Sequence, residues 1–398
     1  MIIKDIIIPI GYFVIIIIIA NLIKKHFIKE KLKKHFIYGL SLKLLGAIST
    51  YIIYFFYYGT GDTVYYFKRS EYIKIITIFN LFCFGSYPAI ALCFASLSFF
   101  GIWKLFNVLC ETYPEHIKAL SISFLYLPSL IFWGSGIFKD TITMGFLSLL
   151  VSYFIQFILF KKITIRGIFL CFISVYTIGV IKSYIIIAII PALMFLLFLS
   201  LRNKISNSII KNLSTPIFII AIISISLISL NILSSVFTKF NINNLEDRAS
   251  DMQRWHTYKV EVLQGGDGSA YSLGQIDYTP ISIIKKIPLA INVALFRPYL
   301  WEVSNPLMLL SSFESLFFLI QTLFFLYYAI RSLGKLFNIL NNNSIIVFMM
   351  LFSLIFAFAV GFTSYNFGAL SRYRIPLLPF YISSIMILTE KLKSLKQK

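Results

Sequence analysis

Long apolar runs alternate with short polar segments along the whole chain. Most runs are about 18–25 residues long, enough for an α-helix to cross a hydrocarbon core of ~30 Å. The pattern therefore predicts an all-α, polytopic integral membrane protein with about eleven transmembrane helices. The predicted spans are residues 6–23, 40–58, 85–108, 119–134, 141–160, 167–181, 184–201, 214–237, 305–330, 344–364 and 374–390. Residues 238–304 are predicted to form one long outer loop with short helices.

The positive charges predict how the chain is oriented in the membrane. Six lysines lie between the first two spans, and such a cluster is retained in the cytoplasm. Alternation from that loop predicts an outer N-terminus and a cytoplasmic C-terminus. The net charge of +20 is then a topology signal, and nucleic acid is not expected as a partner.

Composition adds the class of protein and its compartment. The chain is 59% hydrophobic and 13% charged, so no hydrophilic segment is large enough to fold alone. Residues 1–398 are therefore predicted to form a single membrane domain. The bias towards Ile, Lys, Asn and Phe indicates an AT-rich bacterial genome, and hence a multi-pass protein of the bacterial inner (cytoplasmic) membrane. All four cysteines fall in or beside spans, so we interpret them as small core residues.

The first polar segment of the predicted outer face contains Asp62. Gly59 and Gly61 let the chain turn sharply after the second span, and aromatic residues follow Asp62. Two interpretations are open: Asp62 caps the next helix, or it is a catalytic or metal-binding carboxylate. Residues 71–82 have a narrow polar stripe and are predicted to form a helix that lies in the interface.

The second outer segment leads to Lys139 and Asp140. Pro128, Gly134 and Gly136 are expected to break the helix near the outer surface, and the Lys-Asp pair then opens the fifth span. The pair either marks a helix start or holds a phosphate or a sugar hydroxyl. Lys182 lies alone in a turn between two spans, where we expect it to snorkel to the interface.

The long loop and the start of the last span add arginines. The loop contains Arg254 and a helix over 280–296 that is too short to span, and it returns to the membrane at Arg297. Arg372 and Arg374 open the last span; interfacial anchoring and bidentate phosphate binding are both open for them. Further candidate contacts to substrate are Trp301, Glu302 and Asn366. Glu314 lies within the ninth span, where a charge needs a partner that the sequence does not name.

Together these motifs resemble the GT-C superfamily of membrane glycosyltransferases and the O-antigen and exopolysaccharide polymerases. The resemblance is carried by the aromatic-flanked Asp62, the predicted interfacial helix and two motifs: Pro-Ser-x-x-x-Trp-x-Ser-Gly-x-x-Lys-Asp over 128–140 and Arg-Tyr-Arg-x-Pro over 372–376. Arg254 and Gly265 also match an Arg-x10-Gly signature of such polymerases. GT-C enzymes usually carry their carboxylate after the first span, whereas Asp62 follows the second.

The resemblance implies transfer of a sugar from a polyprenyl-phosphate or polyprenyl-diphosphate donor at the outer face, to build cell-surface polysaccharide. Asp62, then Asp140, would act as the base that orients the acceptor hydroxyl. Cations at the headgroup plane would stabilise the departing phosphate. The candidate cations are Arg297, Arg372, Arg374, Lys139 and Arg254. Trp301 could stack on a sugar ring.

The expected partners follow from this chemistry. They are the polyprenyl-linked saccharide, membrane lipid and other polysaccharide-assembly proteins. No cofactor is expected, although a divalent cation at Asp62 is compatible with the chemistry. The alternative is a flippase or another multispan transporter, which would place charged residues deep in several spans. A non-catalytic scaffold would not need Arg, Lys and Asp clustered at one headgroup plane.

Overall fold

The computed structural model of the chain is mostly helical in the part that it describes. It describes residues 3–69, 74–202, 204–207, 209, 213–218, 220, 269–274 and 279–394. Within this part of the chain there is no β-strand, only an isolated antiparallel bridge between Ala270 and Asn366. The chain divides into two compact units, Met1–Phe154 with Ile163–Lys182 and Ile155–Lys162 with Ser183–Lys398. The prediction of a single membrane domain stays a prediction.

The helices of the first unit are α1 (Ile8–Phe27), α2 (Lys33–Ile52), α3 (Asp62–Lys68), α4 (Lys74–Phe82), α5 (Tyr87–Thr112), α6 (Ile117–Leu125) and α7 (Pro128–Phe132). Two helices, α8 (Lys139–Phe160) and α9 (Ile165–Arg202), begin in the first unit and end in the second. The second unit continues with α10 (Pro280–Phe296), α11 (Pro306–Arg331), α12 (Leu333–Asn342), α13 (Ser344–Thr363), α14 (Phe367–Tyr373) and α15 (Leu378–Ser394).

Several of these helices have the length and apolarity of membrane spans. Among the described residues there are seven, at Lys4–Phe27, Glu30–Tyr57, Tyr87–Thr112, Lys139–Phe160, Ile165–Arg202, Pro306–Arg331 and Ser344–Thr363. The bent pair α14 and α15, with an angle of 70° between the two helices, makes an eighth if it is one span. The prediction of an α-helical, membrane-embedded protein is therefore confirmed, whereas the count of eleven spans is not.

Breaks in the helices explain most of the difference. The predicted span 119–134 consists of α6 and α7, of nine and five residues, because Pro128 starts a new helix. The spans predicted at 167–181 and 184–201 correspond to the two helical segments of α9, which a kink with non-helical backbone at Lys182 (φ −149°, ψ 71°) separates; by length and apolarity they count as one span. The last span is divided near Pro376, which lies in the turn between α14 and α15. The predicted span 214–237 falls largely outside the described residues.

Where a cap marks the boundary, the predicted and observed helix ends agree. Helix α10 covers Pro280–Phe296, as predicted, because the Thr279 side chain accepts a hydrogen bond from the Ser282 backbone N–H at 3.3 Å. Helix α4 covers Lys74–Phe82 within the helix predicted over 71–82. Its position in the membrane interface stays a prediction.

Glycines bring helices α5 and α8 of the first unit into backbone contact. A Cβ atom on Gly101 would lie 2.1 Å from the carbonyl oxygen of Gly145. A Cβ atom on Gly145 would lie 2.8 Å from Cα of Ser98. Small residues that let helix backbones approach are typical of helix packing in membranes. The crossing therefore tolerates no side chain at either position.

Gly101→Ala is expected to lower the free energy of unfolding by about 1–3 kcal/mol, because the new methyl group overpacks the α5–α8 crossing. Gly11→Ala in α1 is the matched control, since nothing lies within 4 Å of the Cβ position there. Thermal unfolding of the detergent-purified variants measures the difference. Equal unfolding temperatures for the two variants would contradict the close packing at Gly101.

Candidate functional site

The predicted site residues fall into two groups, one in each unit. The first group contains Asp62, Lys139 and Asp140, and the second contains Arg297, Trp301, Glu302, Asn366, Arg372 and Arg374. Arg254 and Gly265 lie outside the described residues, so the Arg-x10-Gly signature stays a prediction. Each group is described by itself.

In the first unit, helix α3 brings an aromatic ring to the first residue of α8. Lys139 Nζ lies 5.2 Å from the centre of the Tyr66 ring, within cation–π distance. Asp62 is the first residue of α3 and precedes Tyr66 by one turn, so both are on the same helix face. The Asp62 side chain is exposed. One helix face thus carries the Asp62 carboxylate and, one turn later, the Tyr66 ring that Lys139 contacts. We call Asp62, Tyr66 and Lys139 the Asp62 cluster.

The interpretation of Asp62 as the cap of α3 is wrong, because Asp62 lies one residue after the cap position, and its catalytic role stays a prediction. Gly61, with φ 130°, occupies the cap position of α3 and makes no side-chain cap bond. A carboxylate in the first turn is favoured there by the positive end of the helix. Thr63, the next residue, is buried and shares a hydrogen bond with the Tyr87 hydroxyl of α5. Helix α3 is therefore attached to α5 through Thr63, while the Asp62 side chain stays exposed at the surface of the unit.

Asp140 has a different environment from Asp62. Its side chain is 0% exposed and forms an ion pair with Lys182, which is 7% exposed. Our expectation that Lys182 snorkels to the interface is wrong, because its ammonium group is buried against this carboxylate. Asp140 also lies in the first turn of α8, where negative charge is favoured. These contacts suit a carboxylate that fixes the start of α8, and the catalytic role of Asp140 stays a prediction.

Lys43, which was not among the candidate residues predicted from the sequence, also belongs to this region. Its side chain is buried, and Nζ donates hydrogen bonds to the carbonyl oxygen of Leu130 at 2.9 Å and to that of Gly134. A Cβ atom on Gly134 would lie 2.7 Å from Lys43 Nζ, so the glycine makes room for the ammonium group. The signal was a lysine inside an apolar run, together with glycines at a predicted break. Lys43 therefore adds a buried charge to the predicted span 40–58.

In the second unit, Arg297 is paired with Glu302. Arg297 Nε donates to the two carboxylate oxygens at 2.9 and 3.1 Å, and Nη2 donates to Oε1. The carboxylate also accepts a hydrogen bond from the Tyr299 backbone N–H at 2.7 Å. The guanidinium group lies 5.8 Å from the Tyr271 ring and 5.1 Å from the Phe367 ring. A phosphate bound by Arg297 would therefore compete with the Glu302 carboxylate for the guanidinium group.

Two aromatic residues lie beside this ion pair. Trp301 is 81% exposed and stacks on Tyr299, with 4.8 Å between the ring centres. The Tyr271 hydroxyl donates to the Gly361 carbonyl oxygen at 2.8 Å, and burial raises the pKa of this phenol well above its usual value. Tyr271 therefore stays neutral and structural, whereas the exposed face of Trp301 is open to a ligand.

Arg374 is the partner of Glu314 that the sequence could not name. It is fully buried, and its Nη2 donates to Glu314 Oε2 at 3.4 Å. Its Nη1 donates to the Ser315 hydroxyl at 2.9 Å and to the Arg297 carbonyl oxygen at 3.0 Å. These bonds join the turn after α14 to α11 and to the end of α10. They are the contacts of a residue that holds helices together, and phosphate binding by Arg374 stays a prediction.

Asn366 caps α14. Its Oδ1 accepts a hydrogen bond from the Ala369 backbone N–H at 3.1 Å, and its Nδ2 donates to the Ser269 hydroxyl at 2.9 Å. The second bond attaches Ser269, near the middle of the predicted long loop, to the cap of α14. Arg372 lies in the last turn of α14 and is half-buried, so part of its side chain reaches the surface.

No family model, curated protein or solved structure matches this chain. Among the described residues, no three His, Cys, Asp or Glu side chains are placed together to hold a metal ion. A divalent cation at Asp62 stays a prediction. The fold and the two groups define a helical, membrane-embedded protein that combines accessible charged and aromatic side chains with buried ion pairs.

Proposed function

We propose that the chain is a membrane glycosyltransferase that acts on polyprenyl-phosphate-linked saccharides and builds cell-surface polysaccharide. It would be a repeat-unit polymerase or a transferase that adds one sugar. We place it in the bacterial inner membrane with about eleven spans, its N-terminus outside and its C-terminus in the cytoplasm. The candidate chemistry then lies at the outer face, where Asp62 and Lys139 are predicted to be.

The observation that carries the proposal is the Asp62 cluster. Glycosyl transfer needs an acceptor for the proton of the attacking hydroxyl and a cation for the departing phosphate. The cluster offers an exposed carboxylate at Asp62 and an ammonium group at Lys139, with the Tyr66 ring beside the ammonium group. Asp140 directly follows Lys139 in the chain, and its ion pair with Lys182 holds this part of α8 in place.

The second unit offers its own candidate contacts. Trp301 presents an exposed ring that suits stacking against a sugar. The side chain of Arg372 is partly exposed, and a guanidinium group at the surface suits contact with a phosphate. Arg297 and Glu302 form an ion pair, and its outer N–H groups and carboxylate oxygens suit hydrogen bonds to the hydroxyl groups of a saccharide. These roles are part of the proposal.

A transporter or flippase of lipid-linked oligosaccharides is the second candidate, and one observation favours it. Buried charge occurs at Lys43, at the Asp140–Lys182 pair and at the Glu314–Arg374 pair. Charged residues within membrane spans mark transport pathways in many proteins. Here, however, each of these charges is satisfied by a protein partner, which equally suits a structural role.

Deletion of the gene, with and without complementation by the wild-type chain, tests the proposal. We expect the deletion strain to lose long surface polysaccharide and to accumulate a lipid-linked intermediate, measured on gels and by mass spectrometry. An intact repeat unit would indicate a polymerase, and a unit short of one sugar would indicate a single-sugar transferase.

The side of the membrane on which the intermediate accumulates separates the two candidates. An intermediate that an impermeant glycosidase can digest in spheroplasts has already reached the outer leaflet, as expected for a missing transferase. A protected intermediate would favour the flippase. Unaltered glycans in the deletion strain would contradict both.

A further inference from the structure

A groove in the first unit is not used by the proposed function. It lies between the first turns of α2 and the break between α6 and α7, and its volume is about 520 Å³. Its lining residues are Lys34, His35, Tyr38, Ser41, Leu42 and Tyr126. A hydrogen bond of 2.8 Å between His35 Nδ1 and the Tyr126 hydroxyl closes one wall. The surface inside the groove is almost entirely carbon, with the lysine at one end.

The groove continues into an exposed apolar stripe of α2. Tyr38, Leu45 and Ile52 follow each other at intervals of seven residues and are 61%, 58% and 52% exposed. Lys34 precedes Tyr38 by one turn on the same face. From Lys34 to Leu45 the helix rises about 16 Å, which is about half of a hydrocarbon core of ~30 Å. A cation near the start of the helix is thus followed by an apolar track about as long as one leaflet is thick.

The positive charge of Lys34 is exposed at the groove, whereas the charges of two neighbouring lysines are paired. The neighbouring Lys29 and Lys33 pair with Glu111 at 2.8 Å and with Glu30 at 2.6 Å. Lys34 is exposed and has no acidic partner among the residues that the structure describes. Basic residues at the end of a membrane helix attract anionic lipid headgroups. The charge at the mouth of the groove is therefore complementary to a phosphate.

We propose that this groove binds one anionic phospholipid. The phosphate lies on Lys34, the glycerol region lies within reach of the hydroxyls of Tyr38 and Ser41, and an acyl chain follows Leu42 and Leu45 along α2. The shape of the site, a single cation above a carbon-lined track, fits an amphiphile with one negative headgroup. This inference stands whether or not the chain transfers sugars.

Native mass spectrometry of the full-length protein in detergent, with added phosphatidylglycerol, tests the site. Lys34→Gln is expected to weaken phosphatidylglycerol binding about fivefold. Lys31→Gln is the matched control, since Lys31 is an exposed lysine three residues away that does not line the groove. Lys34→Arg, which keeps the charge, is expected to bind like the wild type. Size-exclusion profiles and unfolding temperatures show that the variants are folded.

Three outcomes would overturn the proposal. The first is equal phosphatidylglycerol binding by Lys34→Gln and Lys31→Gln. The second is equal binding of phosphatidylethanolamine and phosphatidylglycerol by the wild type, because the site would then not select negative charge. The third is displacement of the lipid by an equal concentration of glycerol phosphate, which would mean a phosphate site without a role for the apolar track. Loss of binding on Leu42→Trp, which fills the track, would support the proposal.

Discussion

Asp62→Asn is expected to lower the rate of glycosyl transfer by a factor of about 10²–10⁴, the usual contribution of a general base. The amide has nearly the same shape as the carboxylate but cannot accept the proton of the acceptor hydroxyl. Because Asp62 is exposed at the start of α3, the folded structure should be unaffected. The rate is measured as consumption of the accumulated lipid-linked saccharide in membranes from the complemented deletion strain.

Glu115→Gln is the matched control for this measurement. Glu115 is also an exposed carboxylate of the first unit, and it lies in the turn between α5 and α6. We expect this variant to transfer sugar at the wild-type rate. Wild-type activity in Asp62→Asn, at equal amounts of folded protein, would reduce Asp62 to the helix-start role that its position also allows.

Arg374→Met is expected to lower the free energy of unfolding by about 3–5 kcal/mol, the usual cost of breaking a buried ion pair by removing one partner. The substitution leaves the Glu314 carboxylate buried without its arginine and removes the donors to the Arg297 carbonyl oxygen and the Ser315 hydroxyl. The measurement is thermal unfolding in detergent, supported by the fraction of monodisperse protein after size-exclusion chromatography.

Two further variants give this prediction its controls. Arg372→Met removes an arginine two residues away that is only half-buried, and a much smaller loss of stability is expected. The double variant Glu314→Gln with Arg374→Met should recover much of the loss, because no uncompensated charge remains. If Arg374→Met is as stable as Arg372→Met but inactive, Arg374 has the phosphate-binding role that the sequence suggested.

Local signals in the sequence predicted most of the helical structure. The cap at Thr279 fixed the start of α10, and Pro128 marked a break because proline lacks a backbone donor. The number of spans was harder, since a hydropathy pattern does not distinguish one interrupted helix from two. Residues 167–201 contain a turn signal at Lys182, and the structure has a kink with non-helical backbone there, between two helical segments that count as one span by length and apolarity.

The sequence indicated the charged residues of the candidate site, but it did not indicate which of them form ion pairs. Asp140 and Lys182 were both noticed, and so were Glu314 and Arg374, but in neither case did the sequence connect them. The partners are separated by 42 and 60 residues, so their meeting depends on how helices pack and rotate. A single sequence contains no signal for that packing. Lys43 was overlooked for the same reason, because its acceptors are backbone carbonyls far along the chain.

The hydrogen bonds that Lys43 of α2 donates to backbone carbonyl groups bear on how the chain enters the membrane during synthesis. Helices α6 and α7 are too short to satisfy their own carbonyl groups at the break, and an unsatisfied backbone group in hydrocarbon costs several kcal/mol. Lys43 supplies donors to two of these groups. Because α2 precedes them in the chain, the donor leaves the ribosome before its acceptors do. Insertion of residues 117–138 thus depends on a span made earlier, and the order of translation matches the order of dependence.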